Sequence, residues 1–343
     1  MLCPPARLLP PAEKNSLKER TVHPDEVVDV LQAWPIGKVS DVSFDPLGTI
    51  NQTWLVTTDT GRYAIRLSGH DDVSKLEREC DLLAYAVSQG IPAIEPLRTV
   101  SGDPLLERDG LWTLSPFAPG FQVDRSEMTP EQDRGMGRYL AILLEGLADC
   151  PHALAARSRT LELDTHYTIR RMDELMVVIE QYPSPEPCDT FAKQRLTARR
   201  QWVLDHGDES IAGLTDRPRQ VIHGDYQERN VFFDEQDQVV ALIDWDNAWV
   251  APREWEIIRS LNFVLFFDPK RSQTFLDGYR EVVALDVEVL DRAAWAYSVA
   301  RSHGVWLFEE AYERENKRTR QFFRPGGFTP PYEDWKRVRE RIG

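Results

Sequence analysis

The chain has 343 residues, with 41 Lys and Arg against 56 Asp and Glu, a net charge of −15 and an apolar content of 42%. That is material for two lobes with separate cores, while the acidic balance argues against nucleic acid, whose phosphates it repels. No apolar run is long enough for a membrane span and no apolar signal segment follows the N-terminal charges; the four cysteines are scattered without C-x-x-C spacing, which suits a reducing cytoplasm rather than a disulfide framework or zinc site.

Residues 1–24, rich in proline and charge, read as a loose arm. Helical patterning starts near Pro24 and carries Val27, Val28, Val30 and Leu31. Alternation then predicts strands over Val39–Phe44, Thr53–Thr58 and Arg62–Leu67, with a hairpin turn at Thr60-Gly61. A helix follows with Val73, Leu76, Cys80, Leu83 and Val87 on one stripe, ended by Gly90 and kept ended by Pro92. Two more strands fit Ile94–Val100 and Leu111–Ser115. From Thr129 the pattern turns helical, near 130–148, 163–182, 188–205, 254–266, 270–284 and 287–315, with a short final helix near 333–342.

The most informative run is Val221-Ile222-His223-Gly224-Asp225-Tyr226-Gln227-Glu228-Arg229-Asn230, followed by Ala241-Leu242-Ile243-Asp244-Trp245-Asp246. It places an amide five residues after Asp225 and a second aspartate fourteen beyond that, all flanked by strand-like segments. Phosphoryl transfer needs these groups: Asp225 to take the hydroxyl proton, Asn230 and Asp244 to hold Mg2+ through oxygen. The chain holds its own control, because His206-Gly207-Asp208 repeats the triplet with Gly213 where the amide should be. That copy reads as a helix end or loop.

These residues resemble the aminoglycoside phosphotransferase and choline kinase superfamily, with its H-x-D-x-x-x-x-N loop and I-D-[WFY] metal strand. Pro252-Arg253-Glu254-Trp255-Glu256 looks like the family's next helix start, with Glu256 where Asp is usual. No D-F-G or A-P-E follows, so a protein substrate is not expected. The resemblance implies an α+β, bilobal protein-kinase-like fold. It has a small antiparallel-sheet N-lobe with one main helix over 25–117 and a larger, mostly helical C-lobe over 118–343.

A kinase also needs a cation on the α and β phosphates, normally a strand lysine paired to a helix glutamate. Here Arg66 takes the strand position, with a solvated strand arginine as the plain alternative. Glu79 is favoured over Glu77 as partner because it borders the buried stripe. The phosphate loop would hold Gly48 and Asn51, and the link between lobes Pro116 and Phe117. ATP is the expected donor, with GTP open. Candidate acceptor residues are Tyr226, Asp246, Glu256, Trp306 and Glu309, aromatics and carboxylates fit to hold an amine. The resemblance implies a small hydroxyl acceptor such as an aminoglycoside, an amino alcohol or homoserine. The competing reading, supported by Arg66 in place of lysine, is a kinase-shaped binding or regulatory protein without turnover.

Overall fold

The computed structural model describes residues 22–46, 51–183 and 185–342. The expected arm over 1–24 therefore lies almost wholly outside the described residues. A helix, α1 (Pro24–Leu31), precedes strands β1 (Val39–Asp45), β2 (Gln52–Thr58) and β3 (Arg62–Leu67), helix α2 (Val73–Ser88), and strands β4 (Leu106–Glu107) and β5 (Leu111–Pro116). The five strands form one antiparallel sheet in the order β1-β2-β3-β5-β4.

Period-two alternation decides what each face of the sheet meets. Trp54, Val56, Ile65, Leu67, Trp112 and Leu114 point one way and pack beneath Val27, Val30, Leu31 and Trp34. Arg66, between Ile65 and Leu67, is thereby turned to the opposite face, where α2 lies. The buried side of α2 holds Leu76, Glu79, Cys80, Leu82, Leu83 and Ala86; Val87, expected in the stripe, is exposed. Leu76 packs on Leu105 and Leu111, while Leu82, Leu83 and Ala86 join the large core. One helix thus ties sheet to helical lobe.

The segment expected as a strand over Ile94–Val100 is not one. It makes single bonds to neighbours, among them Leu97 N–H to the Leu114 carbonyl at 2.7 Å. Pro96 removes a donor from the middle of any ladder, and the edge strand forms later, at β4.

The second lobe comprises α3 (Pro130–Gly146), α4 (Thr165–Glu180), α5 (Pro187–His206), α6 (Ala212–Thr215), β6 (Arg219–Ile222), β7 (Val231–Phe233), β8 (Val239–Leu242), β9 (Trp249–Pro252), α7 (Arg253–Phe263), α8 (Pro269–Arg280), α9 (Val287–Ser302), α10 (Trp306–Tyr312), α11 (Lys317–Arg320) and α12 (Pro331–Ile342). β6 pairs with β9 and β7 with β8, both antiparallel. The helix expected over 287–315 is two, α9 and α10. His303 ends the first, its ring held by Thr168 Oγ1 at 2.9 Å and by the Gly207 carbonyl at 3.2 Å. Gly207 itself caps α5, so the second His-Gly-Asp triplet is a helix end.

Helices α3 and α8 meet backbone to backbone at two glycines. A Cβ on Gly137 would stand 1.8 Å from the Phe275 carbonyl oxygen, and one on Gly278 would stand 2.0 Å from that of Arg134. Backbone cannot rotate aside as a side chain can. Gly137→Ala should therefore lower stability by about 2–3 kcal/mol, the scale of overpacking; urea denaturation checks it, and an unchanged midpoint would show that the crossing relaxes freely.

Candidate active site

β6 delivers the chain to His223, and the short turn Glu228–Asn230 hands it to β7. Between them the loop is held by buried polar bonds rather than by a ladder. Glu256, fully buried on α7, accepts the Gly224 N–H at 2.6 Å and the Tyr226 N–H at 3.3 Å. His223 Nδ1 accepts the Asp225 N–H at 3.2 Å, so Nε2 carries the proton and donates to the Ile243 carbonyl at 3.1 Å. Gly224 adopts φ +77°, and a Cβ there would lie 2.3 Å from the Asn247 carbonyl oxygen. Only glycine fits both demands.

The loop leaves the Asp225 side chain partly open, at 17% exposure. Its Oδ2 accepts from Gln227 Nε2 at 2.9 Å and Asn230 Nδ2 at 3.2 Å, and Oδ1 is met by the Arg259 guanidinium. Asn230 Nδ2 also bonds the Asp225 carbonyl at 2.9 Å, which leaves its amide oxygen for another ligand. Asp244 sits just past β8 at φ +65°, a left-handed backbone uncommon for residues other than glycine. Its carboxylate has no hydrogen-bond donor among the described residues. Burial, then the negative charges of Asp246 and Asp225, push its pKa well above the usual carboxylate range. Burial alone would raise Asp246 as well, but Arg157 and Lys75 hold it below its ordinary value.

Across the cleft, Arg66 Nη2 donates to Glu79 Oε1 at 2.7 Å, whereas Glu77 is exposed. Burial opposes the Arg66 charge, but Glu79, Asp246 and Asp244 outweigh it and hold the guanidinium firmly protonated. Asn51, Arg66, Ser68, Lys75, Glu79 and Asp246 line one cleft. Asn51 Oδ1 accepts the Gly69 N–H at 3.0 Å, tying β2 to the turn before α2. Gly48 lies outside the described residues. Pro116 ends β5, and the Phe117 N–H donates to the Arg62 carbonyl at 2.9 Å, with the Arg62 guanidinium 3.9 Å above its ring.

The acceptor candidates divide. Tyr226 is fully buried, its hydroxyl donating to the Met136 carbonyl at 2.8 Å, so it is core and not a ligand contact. Glu256 is likewise inaccessible and braces the loop. Asp246 is 5% exposed, bonded to Asn247 Nδ2 at 2.8 Å and near Arg157 at 3.5 Å, and it faces the Arg66 cleft. Trp306 and Glu309 belong to α10; Glu309 pairs with Arg171 of α4 at 3.0 Å, and no described contact joins either to the loop. The residues that sequence reasoning missed are arginines: Arg259, Arg157 and Arg159. Arg259 was within reach, since it follows Glu256 by one helical turn and so shares its face.

Two outcomes test this bracing. Glu256→Gln sets an amide donor against a backbone donor and should cost about 2–4 kcal/mol, as for a buried polar group left unpaired; denaturant unfolding reads it, and a neutral change would remove Glu256 from the loop's support. Burial pushes His223 from 6.5 down to about 4. Between those pH values the unfolded chain binds a proton that the folded one refuses, so stability falls as pH drops from 6.5 through 4, by about 3 kcal/mol. His223→Gln should be less stable at pH 7 yet lose less across that window; parallel curves for the two proteins would contradict it.

The model of the phosphotransferase enzyme family matches residues 41–295. The homoserine kinase of Methylobacillus glycogenes is 25% identical over 276 residues, 77% of each chain, and that of Methylobacillus flagellatus 24% over 298 residues, 80% of each. Among solved structures, a spectinomycin phosphotransferase bound to ADP and spectinomycin superposes with a TM-score of 0.70 at 16% identity, covering 93% of this chain and 100% of its own. With the family matched over most of its length and the kinase-like fold around Asp225, this chain belongs to the phosphotransferase enzyme family, as a small-molecule kinase.

Proposed function

We propose that the protein transfers the terminal phosphoryl group of ATP to a hydroxyl of a small amine-bearing molecule of the homoserine type. The observation that supports this reading is Asn230 bonded to Asp225 at 3.2 Å, with Asp244 close enough to feel the charges of Asp225 and Arg66. In this reading the acceptor hydroxyl donates its proton to Asp225 as its oxygen bonds to phosphorus, the bond to the bridging oxygen breaks, and ADP leaves. Asn230, Gln227 and Arg259 orient the Asp225 carboxylate. Arg66, steadied by Glu79, takes the α and β phosphates, where a guanidinium donates to two oxygens at once. Asn51, Pro116 and Phe117 flank the nucleotide. The related homoserine kinases support the amine-bearing acceptor.

The site fits magnesium. Asp244 is a half-buried carboxylate without a donor, disfavoured as an anion by its acidic neighbours, and the Asn230 amide oxygen is free beside it. No group of three or more His, Cys, Asp or Glu among the described residues is arranged to hold a metal alone, as expected where phosphates and water complete the shell. When bound, magnesium would neutralise charge on the phosphate oxygens. No helix among the described residues is long and apolar enough to cross a membrane, and Cys80, Cys150 and Cys188 are free thiols, which supports a cytoplasmic setting.

Asp225→Asn should lower kcat by about two to four orders of magnitude, the scale of a general base, with nucleotide affinity little changed. Asp244→Ala should instead weaken binding of MgATP more than of metal-free ATP. ADP release across hydroxylated amines, amino acids and sugars, with GTP as an alternative donor and acceptor-free controls, tests the whole. Near wild-type turnover in Asp225→Asn would refute the assignment, and ADP release equal with and without every acceptor would point to hydrolysis.

A further inference from the structure

The acceptor side of Asp225 is not acidic. Arg259 touches Asp225 Oδ1 and lies 4.9 Å from the centroid of the Phe263 ring; Arg301, from α9, lies 5.1 Å from the same centroid. Arg259 spends N–H groups on Asp225 and on the Tyr226 carbonyl at 3.4 Å, which leaves others of a guanidinium's five donors to spare. Arg301 is exposed and has no carboxylate at ion-pair distance among the described residues. Arg159 and Arg199 likewise lack such a carboxylate, and their Nε atoms are buried with no partner among the described residues.

We propose that the hydroxyl acceptor carries an anionic group, a carboxylate or a phosphate, seated by Arg259 and Arg301 beside the Phe263 ring. The proposal rests on the kinase reading for the position of the hydroxyl at Asp225, and it deepens that reading by separating hydroxy acids from amino alcohols and aminoglycosides. Two planar guanidinium groups near one ring offer a carboxylate paired, directional donors. Arg259 is partly balanced by Asp225, whereas Arg301 has no carboxylate at ion-pair distance among the described residues. Burial, followed by Arg195 and Arg301, pushes Arg199 down to about 9, and burial, followed by Arg157 and opposed by Asp246, pushes Arg159 down to about 10. An arriving anion relieves that repulsion, whereas an ammonium group adds to it. Arg259 also couples recognition to chemistry, since the guanidinium that receives the anion is the one that orients the base.

The test pairs acceptors that differ only in the acid: homoserine against 3-aminopropanol, glycerate against glycerol, and glycerol 3-phosphate against glycerol. ADP release by the wild type should favour the acid in at least one pair by about ten- to a hundredfold in kcat/KM, the worth of a charge-assisted contact. Which acid wins distinguishes carboxylate from phosphate. Arg301→Gln, at an exposed position, should bring that ratio to within about threefold and leave the KM for MgATP unchanged. A turnover-free arm measures thermal shift with 2-aminobutyrate and with inorganic phosphate; one of them should raise the Tm of the wild type but not of Arg301→Gln. Uncharged partners used equally well in every pair, or an acid preference that survives Arg301→Gln, would overturn the anion site and leave the kinase reading intact. If no acceptor releases ADP, that reading fails, and the anion site stands on a shift lost in Arg301→Gln or falls on its absence.

Discussion

The active-site loop depends on one buried carboxylate. Glu256 receives the backbone N–H groups of Gly224 and Tyr226, which have no strand partner because the chain is turning. Burial raises its pKa, and Arg259 with the two N–H groups opposes the rise. An unpaired N–H in that interior costs about 1–3 kcal/mol, so the loop and α7 hold each other. With the backbone on both sides of it pinned inward, Asp225 is left facing the cleft.

The same brace carries Arg259 to Asp225 one helical turn later, and with it a change in the electrostatic character of the cleft. On the sheet side the carboxylates of Asp225, Asp244 and Asp246 crowd one another and are balanced by Arg66, Arg157 and Lys75. On the helical side Arg259 meets Asp225, and Arg301 has no carboxylate at ion-pair distance among the described residues. A phosphotransferase has to accommodate a highly charged donor and a separate acceptor, and a division of charge across the loop gives each a distinct field. The net charge of the chain says nothing of this division, because it sums acids wherever they lie, including surface pairs such as Glu281 with Arg134 and Arg138.

The Arg66–Glu79 pair depends on two independent regularities meeting. Strand alternation turns Arg66 away from the face that buries Ile65 and Leu67, and helical periodicity turns Glu79 inward beside Leu76 and Cys80. Both are local properties of the chain, and so this contact is legible in the order of residues alone. α2 then spans the two cores through Leu76 on one side and Leu82, Leu83 and Ala86 on the other.

By itself the sequence determined what is written in short-range spacing: the strands β1–β3 and β5, most helices to within a few residues, and the interval that brings Asn230 under Asp225 through a single turn. It also marked the second His-Gly-Asp triplet as a helix end or loop, for want of an amide and of strands behind it. Tertiary structure decided what depends on contacts between distant residues. Tyr226 stands in a polar loop, yet it is core, because its hydroxyl finds the Met136 carbonyl ninety positions away. Glu256 became a brace rather than a ligand because burial left it no other partner. The apparent long helix over 287–315 broke where His303 was claimed by Thr168 and Gly207. Periodicity records which face of an element is buried, but not what lies against that face, and the partner is what turns a carboxylate into a brace, a base or a surface charge.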